Sequence, residues 1–190
     1  MNTTLDTFGH GDNWSKWLDS LKGLKAIAGL ELGTFRGASA EWAMKNVFTD
    51  PTSIYLCVDT FDGSIEHRVN DIDCSENEAI ARRRLSAFQN AHIIRKTSEE
   101  YLRSEFGRSM RYDFIYVDAA HDAMNVLRDA VLSFDLLKQD GIMIFDDYTW
   151  TVMPRELDRP KMAIDAFLSC YADRHRVIFK GYQVVIRKTS

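Results

Sequence analysis

Five short apolar runs, separated by stretches of helical periodicity, constrain the fold of this 190-residue chain more than any other feature. They are Ala26–Leu32, Ser53–Val58, His92–Ile94, Tyr112–Val117 and Gly141–Phe145. Runs of this kind read as strands buried on both faces, and the helical segments between them let the strands run parallel. Right-handed crossovers then put helices on both sides of a single sheet. The end of the chain breaks the rule. Val177–Lys180, Gly181 and Tyr182–Ile186 read as a hairpin, which adds two antiparallel strands at one edge. The expected fold is α/β: a doubly wound, mostly parallel seven-stranded sheet with a C-terminal antiparallel hairpin.

The helical segments follow from spacing. Trp14, Trp17, Leu18 and Leu21 stand at i, i+3, i+4 and i+7, one face of a helix, and make residues 1–24 a helical extension of a single domain over 1–190. Further helices are expected through Trp42 and Val47 before Pro51, over Ser75–Gln89, from Ser98-Glu99-Glu100, along Val126–Phe134, and from Pro160 to Tyr171. Asp62–Asp73 reads as a polar loop.

Composition narrows the function classes. Apolar residues make up 45% and charged residues 27%, as in a globular protein with an ordinary core. The net charge of −4 offers no basic face for a phosphate backbone, so no nucleic-acid partner is expected. The one basic cluster, Arg82-Arg83-Arg84, reads as a solvated helix face. Cys57, Cys74 and Cys170 form no CxxC pair and suit a reducing compartment. Met1–Asn13 lacks the apolar segment of a signal peptide, and no run has the 18 or so apolar residues of a membrane span. A cytoplasmic protein with no membrane partner is expected.

Ligands of open α/β sheets bind beyond the carboxyl ends of the strands, where the strand order reverses. Those ends carry Glu31-Leu32-Gly33, Asp59, Asp118 and Asp146-Asp147. Gly33 and Gly37, four residues apart, allow a tight turn and a close backbone approach, or simply shape a strand–helix turn. Phe35 stands where a dinucleotide-binding GxGxxG would need its second glycine. Asp59 can accept hydrogen bonds from ribose hydroxyls or cap a loop. Ser98 can meet an adenine or cap a helix. Three carboxylates at neighbouring strand ends, Asp118, Asp146 and Asp147, repel unless they share a cation, or Asp146-Asp147 caps a loop.

Four stretches together resemble the class I S-adenosylmethionine-dependent methyltransferases: Glu31-Leu32-Gly33-Thr34-Phe35-Arg36-Gly37-Ala38-Ser39, Val58-Asp59-Thr60-Phe61-Asp62-Gly63, Tyr116-Val117-Asp118-Ala119-Ala120-His121 and Phe145-Asp146-Asp147-Tyr148. Within that fold they are most similar to the bacterial small-molecule O-methyltransferases that include the cephalosporin-hydroxylase-type and macrocin-type proteins. The resemblance runs from about Ala26 to Lys188. It implies a Rossmann-like methyltransferase fold. It also implies S-adenosylmethionine held by Glu31, Gly33, Thr34, Gly37, Ser39, Asp59, Thr60, Ser98 and Asp118. A magnesium-type cation is implied at Asp118, Asp146 and Asp147. The implied reaction is O-methylation of a hydroxyl on a small polar metabolite or sugar.

The pattern departs from the family at Ala119-Ala120, where macrocin-type relatives carry a second acid in place of Ala120. His121, with Asp118, is then the candidate for the catalytic base, because an imidazole titrates near neutral pH. His121 is equally placed to be a metal ligand or to pack at a helix start. Tyr148 and Trp150 flank the mouth of the site or anchor a loop. A metal-free N- or O-methyltransferase, a nicotinamide oxidoreductase and a non-catalytic cofactor-binding module are the competing readings. The chain is short for the family, so either a partner subunit in a homodimer or the Asp62–Asp73 loop is expected to cover the site.

Overall fold

The computed structural model describes residues 7–64, 67 and 71–190. The first six residues of the polar N-terminus, and positions 65, 66 and 68–70 of the Asp62–Asp73 loop, lie outside that set.

Seven strands form one sheet: β1 (Ala28–Leu32), β2 (Ile54–Asp59), β3 (Ala91–Arg95), β4 (Tyr112–Val117), β5 (Leu137–Phe145), β6 (His175–Lys180) and β7 (Val184–Lys188). Their order is β3-β2-β1-β4-β5-β7-β6, with β1 to β5 parallel and β7 antiparallel to both β5 and β6. The expected α/β sheet and its terminal hairpin are therefore present. The order reverses at β1, whose neighbours are β2 and β4, and the ligand crevice belongs there.

Seven helices accompany the strands among the described residues: α1 (Gly11–Trp17), α2 (Ala38–Asn46), α3 (Asn77–Leu85), α4 (Ser98–Arg103), α5 (Glu105–Ser109), α6 (Ala123–Phe134) and α7 (Pro160–Cys170). The period of two along each strand sorts its side chains between two cores. Leu30, Leu32, Val58, Ile115, Val117, Met143 and Phe145 face α6 and α7, with Val126, Ala130, Phe134, Ile164 and Phe167. Tyr55, Cys57, Phe114, Tyr116, Ile142 and Ile144 face the other way, against Trp14, Leu18, Ala40, Ala43 and Met44. The N-terminal helical segment is thus part of this second core: Trp14 and Leu18 are fully buried, and Trp14 Nε1 donates to Gln183 Oε1 at 3.0 Å.

Element ends differ from the sequence reading where polar residues hide the pattern. β5 begins at Leu137, four residues before the expected Gly141, because Lys138, Gln139 and Asp140 carry no apolar periodicity. α4 is capped by Thr97, one residue earlier than Ser98, through a reciprocal pair of bonds with Glu100. α5 is a five-residue turn of helix that carries too little apolar signal to be read from the sequence. β6 closes the sheet as an edge strand, and a register shift between Val177 and Phe179 interrupts its pairing, a feature that blunts edge-to-edge association. None of the three cysteines is paired. Among the described residues no helix is long and apolar enough to cross a membrane.

Candidate active site

At the carboxyl end of β1 the chain turns through Gly33, and this turn is built on a close approach. Gly33 has φ +91°, and a Cβ there would lie 2.1 Å from the carbonyl oxygen of Asp118. Only glycine permits that contact. Gly37 also has positive φ, +76°, but a Cβ there would meet its nearest neighbour at an ordinary 3.5 Å. The two glycines therefore act differently: Gly33 lets the β1 and β4 ends touch, and Gly37 supplies a left-handed turn into α2.

Asp59, at the end of β2, braces this turn. Its Oδ2 accepts the backbone N–H of Thr34 at 2.7 Å and of Phe35 at 2.6 Å, and its Oδ1 accepts that of Phe61 at 2.7 Å. Phe35 and Phe61 are both held at positive φ, +48° and +62°. A carboxylate has about four acceptor positions, so roughly one remains for a ligand hydroxyl. Of the two roles read for Asp59, these bonds show the bracing of the loop, and they leave about one acceptor position open towards the pocket.

Glu31 lies beneath the pocket and does not line it. The strand's alternation turns it into the α2 side of the sheet, where it is fully buried. Ser39 Oγ donates to its Oε1 at 3.0 Å and Tyr55 Oη to its Oε2 at 2.9 Å. Burial pushes its carboxyl up to about 8 against the lowering effect of those bonds. Ser39 itself faces the pocket while serving this acid.

The ends of β4 and β5 carry the acids. His121 Nε2 is 2.8 Å from Asp147 Oδ2 and 3.7 Å from Asp118 Oδ1. Asp118, His121 and Asp147 can each turn one ligand atom to within 4.8 Å of the others. Asp146, expected in this trio, is turned aside: its Oδ2 accepts from Tyr116 Oη, and its Oδ1 from the backbone N–H of Asp147 at 2.8 Å. The geometry thus replaces Asp146 by His121. Asp147 sits at φ +58°, an uncommon conformation for a residue with a Cβ, which aims its carboxylate at His121. Tyr182, on the β6–β7 turn, donates to the other Asp147 oxygen. Exclusion of water raises the carboxyl of Asp118 well above its ordinary range, with Asp146 adding repulsion. Asp146 is raised for the same reason, with Asp147 as the repelling neighbour. Trp150 packs on His121 with ring centroids 5.1 Å apart, whereas Tyr148 turns away to donate to Asp165.

These groups line a cavity of about 480 Å³ containing Gly33, Thr34, Ser39, Asp59, Thr60, Asp118, His121, Asp146 and Asp147. Sequence reasoning missed one wall: Thr7, Phe8, Gly9 and His10 also line it, and His10 stacks on Tyr182 at 5.8 Å. Gly63, Ser64 and His67 of the Asp62–Asp73 loop contribute another part of the lining. A second cavity of about 260 Å³ shares Gly33, Asp59, Thr60 and Ala119 with the first and reaches Ser98 and Asp129. Ser98 is not a cap there, since its Oγ donates to Asp129 Oδ1 at 2.7 Å.

A family model described as a methyltransferase domain matches residues 30–148, which include every residue expected here to bind a cofactor or metal. No curated protein matches by sequence. Several solved structures share the fold. One is the O-methyltransferase from Bacillus cereus in complex with SAH, 16% identical over 100% of this chain and 87% of that one, with a TM-score of 0.66. Another is the O-methyltransferase TomG from Streptomyces achromogenes, involved in tomaymycin synthesis and in complex with SAM, 14% identical over 94% and 80%, TM-score 0.65. The O-methyltransferase NovP is 14% identical over 95% and 80%, TM-score 0.71. At such identities the likeness speaks for the fold alone.

Proposed function

The chain belongs to the methyltransferase-domain family, and from that premise we propose that it transfers a methyl group from S-adenosylmethionine to a hydroxyl of a small polar acceptor such as a sugar. The observation that carries the proposal is the pair of cavities joined at Gly33, Asp59, Thr60 and Ala119. One is of a size for a nucleobase, and the other ends at a proton-accepting cluster. Family membership leaves the nicotinamide reading without support, and the glycine spacing agrees.

The donor brings the reactive sulfonium, so the chain has to align three atoms and manage one proton. Asp59 would take one ribose hydroxyl on its remaining acceptor position. Asp118 and the acid wall would face the donor's ammonium. The acceptor oxygen would take the sulfonium's methyl group, the carbon–sulfur electron pair going to sulfur, and the hydroxyl proton would pass to the His121–Asp147 pair, whose facing atoms lie 2.8 Å apart.

Asp118, His121 and Asp147 would also suit a divalent cation, which when bound would lower the pKa of the acceptor hydroxyl. One nitrogen and two oxygens fit manganese, iron, cobalt or zinc at least as well as magnesium, which prefers an all-oxygen shell. A metal-free variant of the reading rests on the short His121–Asp147 contact, because the N–H of a neutral imidazole already satisfies that carboxylate without a cation. The small-molecule acceptor, a cytoplasmic site of action and a homodimer remain part of the proposal.

Calorimetric titration with S-adenosylmethionine and S-adenosylhomocysteine, with and without divalent cations, tests it. Micromolar binding that is lost in Asp59→Ala is the expected result. Absence of binding under every condition overturns the reading.

A further inference from the structure

Strand order divides the larger cavity by charge. Its acids Asp118, Asp146 and Asp147 follow β4 and β5. Arg36 and Asn77 come from the segments that follow β1 and β2, on the other side of the reversal. The chemistry described above takes place among the acids and makes no use of Arg36 or Asn77.

Asn77 opens α3 and is fully buried, yet it lines the cavity. Arg36 Nε donates to its Oδ1 at 2.9 Å. That nitrogen can only donate, so the bond fixes which way the amide faces. The Asn77 Nδ2, with two N–H groups, is left without a partner. A buried amide left unpaired is costly, and in a native fold it calls for an acceptor. The surroundings favour a negative one. α3 is nine residues long and no side chain caps its first turn, so its positive end adds to the field. The Arg36 guanidinium is held in place by Asn77 and by the Phe35 ring, 5.2 Å from its central carbon. Neighbouring acids are engaged with the backbone: Asp59 with Thr34, Phe35 and Phe61, and Asp73 with Ser75 at 2.9 Å.

We propose that Arg36 and Asn77 form a subsite for an oxyanion, a carboxylate or a phosphate, carried by the methyl acceptor. The inference rests on the proposed methyl transfer and narrows its acceptor to anionic hydroxy compounds, such as a uronic acid or a sugar phosphate. A guanidinium and an amide can donate to separate oxygens of one oxyanion, and charge-assisted bonds of this kind are about twice as strong as neutral ones. The methyl donor's own carboxylate is drawn elsewhere. It shares a carbon with the donor's ammonium, which the acids after β4 and β5 attract, so it stays on their side of the cavity.

The test titrates protein saturated with S-adenosylhomocysteine with inorganic phosphate, with acetate, and with acetamide as the uncharged control. A chelator keeps the anions off stray cations, and the side-chain amide resonances of Asn77 are followed together with the heat. Because the methyl donor's position is already filled, an anion that still binds occupies the acceptor's side. At least one anion should bind at least about tenfold more tightly than acetamide and move the Asn77 signals. Phosphate and acetate then tell the two oxyanions apart. Arg36→Gln should erase the preference. Asn77→Asp keeps an acceptor for Arg36 but turns the unpaired donor into an acceptor, so it should erase the preference too, which it would not do if Asn77 merely held Arg36. If Asn77→Asp does not fold, Arg36→Gln and the wild-type resonances decide. Equal binding of all three probes, or of none, overturns the inference and leaves methyl transfer standing, as does an anion preference that survives Arg36→Gln. Arg36→Gln that weakens S-adenosylhomocysteine but not its decarboxylated analogue overturns it as well, by giving the subsite to the methyl donor. Failure of the wild type to bind S-adenosylhomocysteine instead overturns the proposed function, and the inference with it.

Discussion

Nε2 of His121 and Oδ2 of Asp147 lie 2.8 Å apart at the ends of adjacent strands. Two acceptors do not sit at that distance, so the nitrogen carries a hydrogen that it donates to the carboxylate. A divalent cation taking both atoms must displace that hydrogen, which a neutral imidazole moves to its other nitrogen without releasing it. The proton that leaves is the one that burial favours on Asp118, the third ligand of the cluster, so cation binding should release up to about one proton, more at lower pH. Calorimetry in buffers of different ionisation enthalpy measures the release. Binding with no buffer dependence would mean that the cation sits elsewhere.

The cluster and its neighbour Asp146 separate in the same way. His121→Ala should lower kcat by about 10² to 10⁴, the usual range for a lost acid–base group, with little change in donor affinity. Asp147→Ala should approach it, since it orients the imidazole. Asp146→Asn should cost far less, because Asp146 is bound to Tyr116 and the backbone rather than to His121. Steady-state rates at saturating donor give the comparison. Equal losses at Asp146 and His121 would return Asp146 to the centre of the site.

Glu31 sets a pH dependence of stability. Its folded value of about 8 lies above the unfolded 4.5, so the native state keeps a proton that the unfolded chain has released. Stability must then fall as pH rises from about 5 to about 8, and level off above, by up to about 1.4 kcal/mol per pH unit from this group. Glu31→Gln should flatten that slope and gain on the wild type as pH rises. Urea denaturation at pH 5.5, 7 and 8.5 reads the difference. Parallel curves for the two proteins would show that Glu31 is ionised in the fold.

The two glycines of the first turn should respond unequally to alanine. Gly33→Ala forces a Cβ to 2.1 Å from the Asp118 carbonyl oxygen and should prevent folding or abolish donor binding. Gly37→Ala meets nothing closer than 3.5 Å and bears only the strain of a left-handed residue, about 1–2 kcal/mol. Thermal melting of both variants makes the comparison. A stable, donor-binding Gly33→Ala would contradict the close approach of β1 and β4.

Much of this molecule is written in residue types. Alternating apolar runs and helical spacing set the parallel sheet, because a strand buried on both faces must be apolar throughout and a parallel neighbour needs a crossover. The break in that rhythm after Tyr171 sets the hairpin. Strand ends then place Gly33, Asp59, Asp118 and Asp147 at one rim, whatever the loops do. Other features depend on distances between remote segments, which no local pattern encodes. Glu31 and Asp59 are both strand acids, yet packing sends one into the core and keeps the other in the pocket. Asp146 and Asp147 are adjacent, and only the left-handed turn at Asp147 decides which of them meets His121. Thr7–His10 become a wall of the cavity because Trp14 is buried against Gln183, a contact across 169 positions. Local periodicity decides which side chains reach the rim of the sheet, because it places the strand ends. Tertiary packing chose their partners, since a hydrogen bond is a matter of ångströms between parts of the chain that local periodicity does not connect.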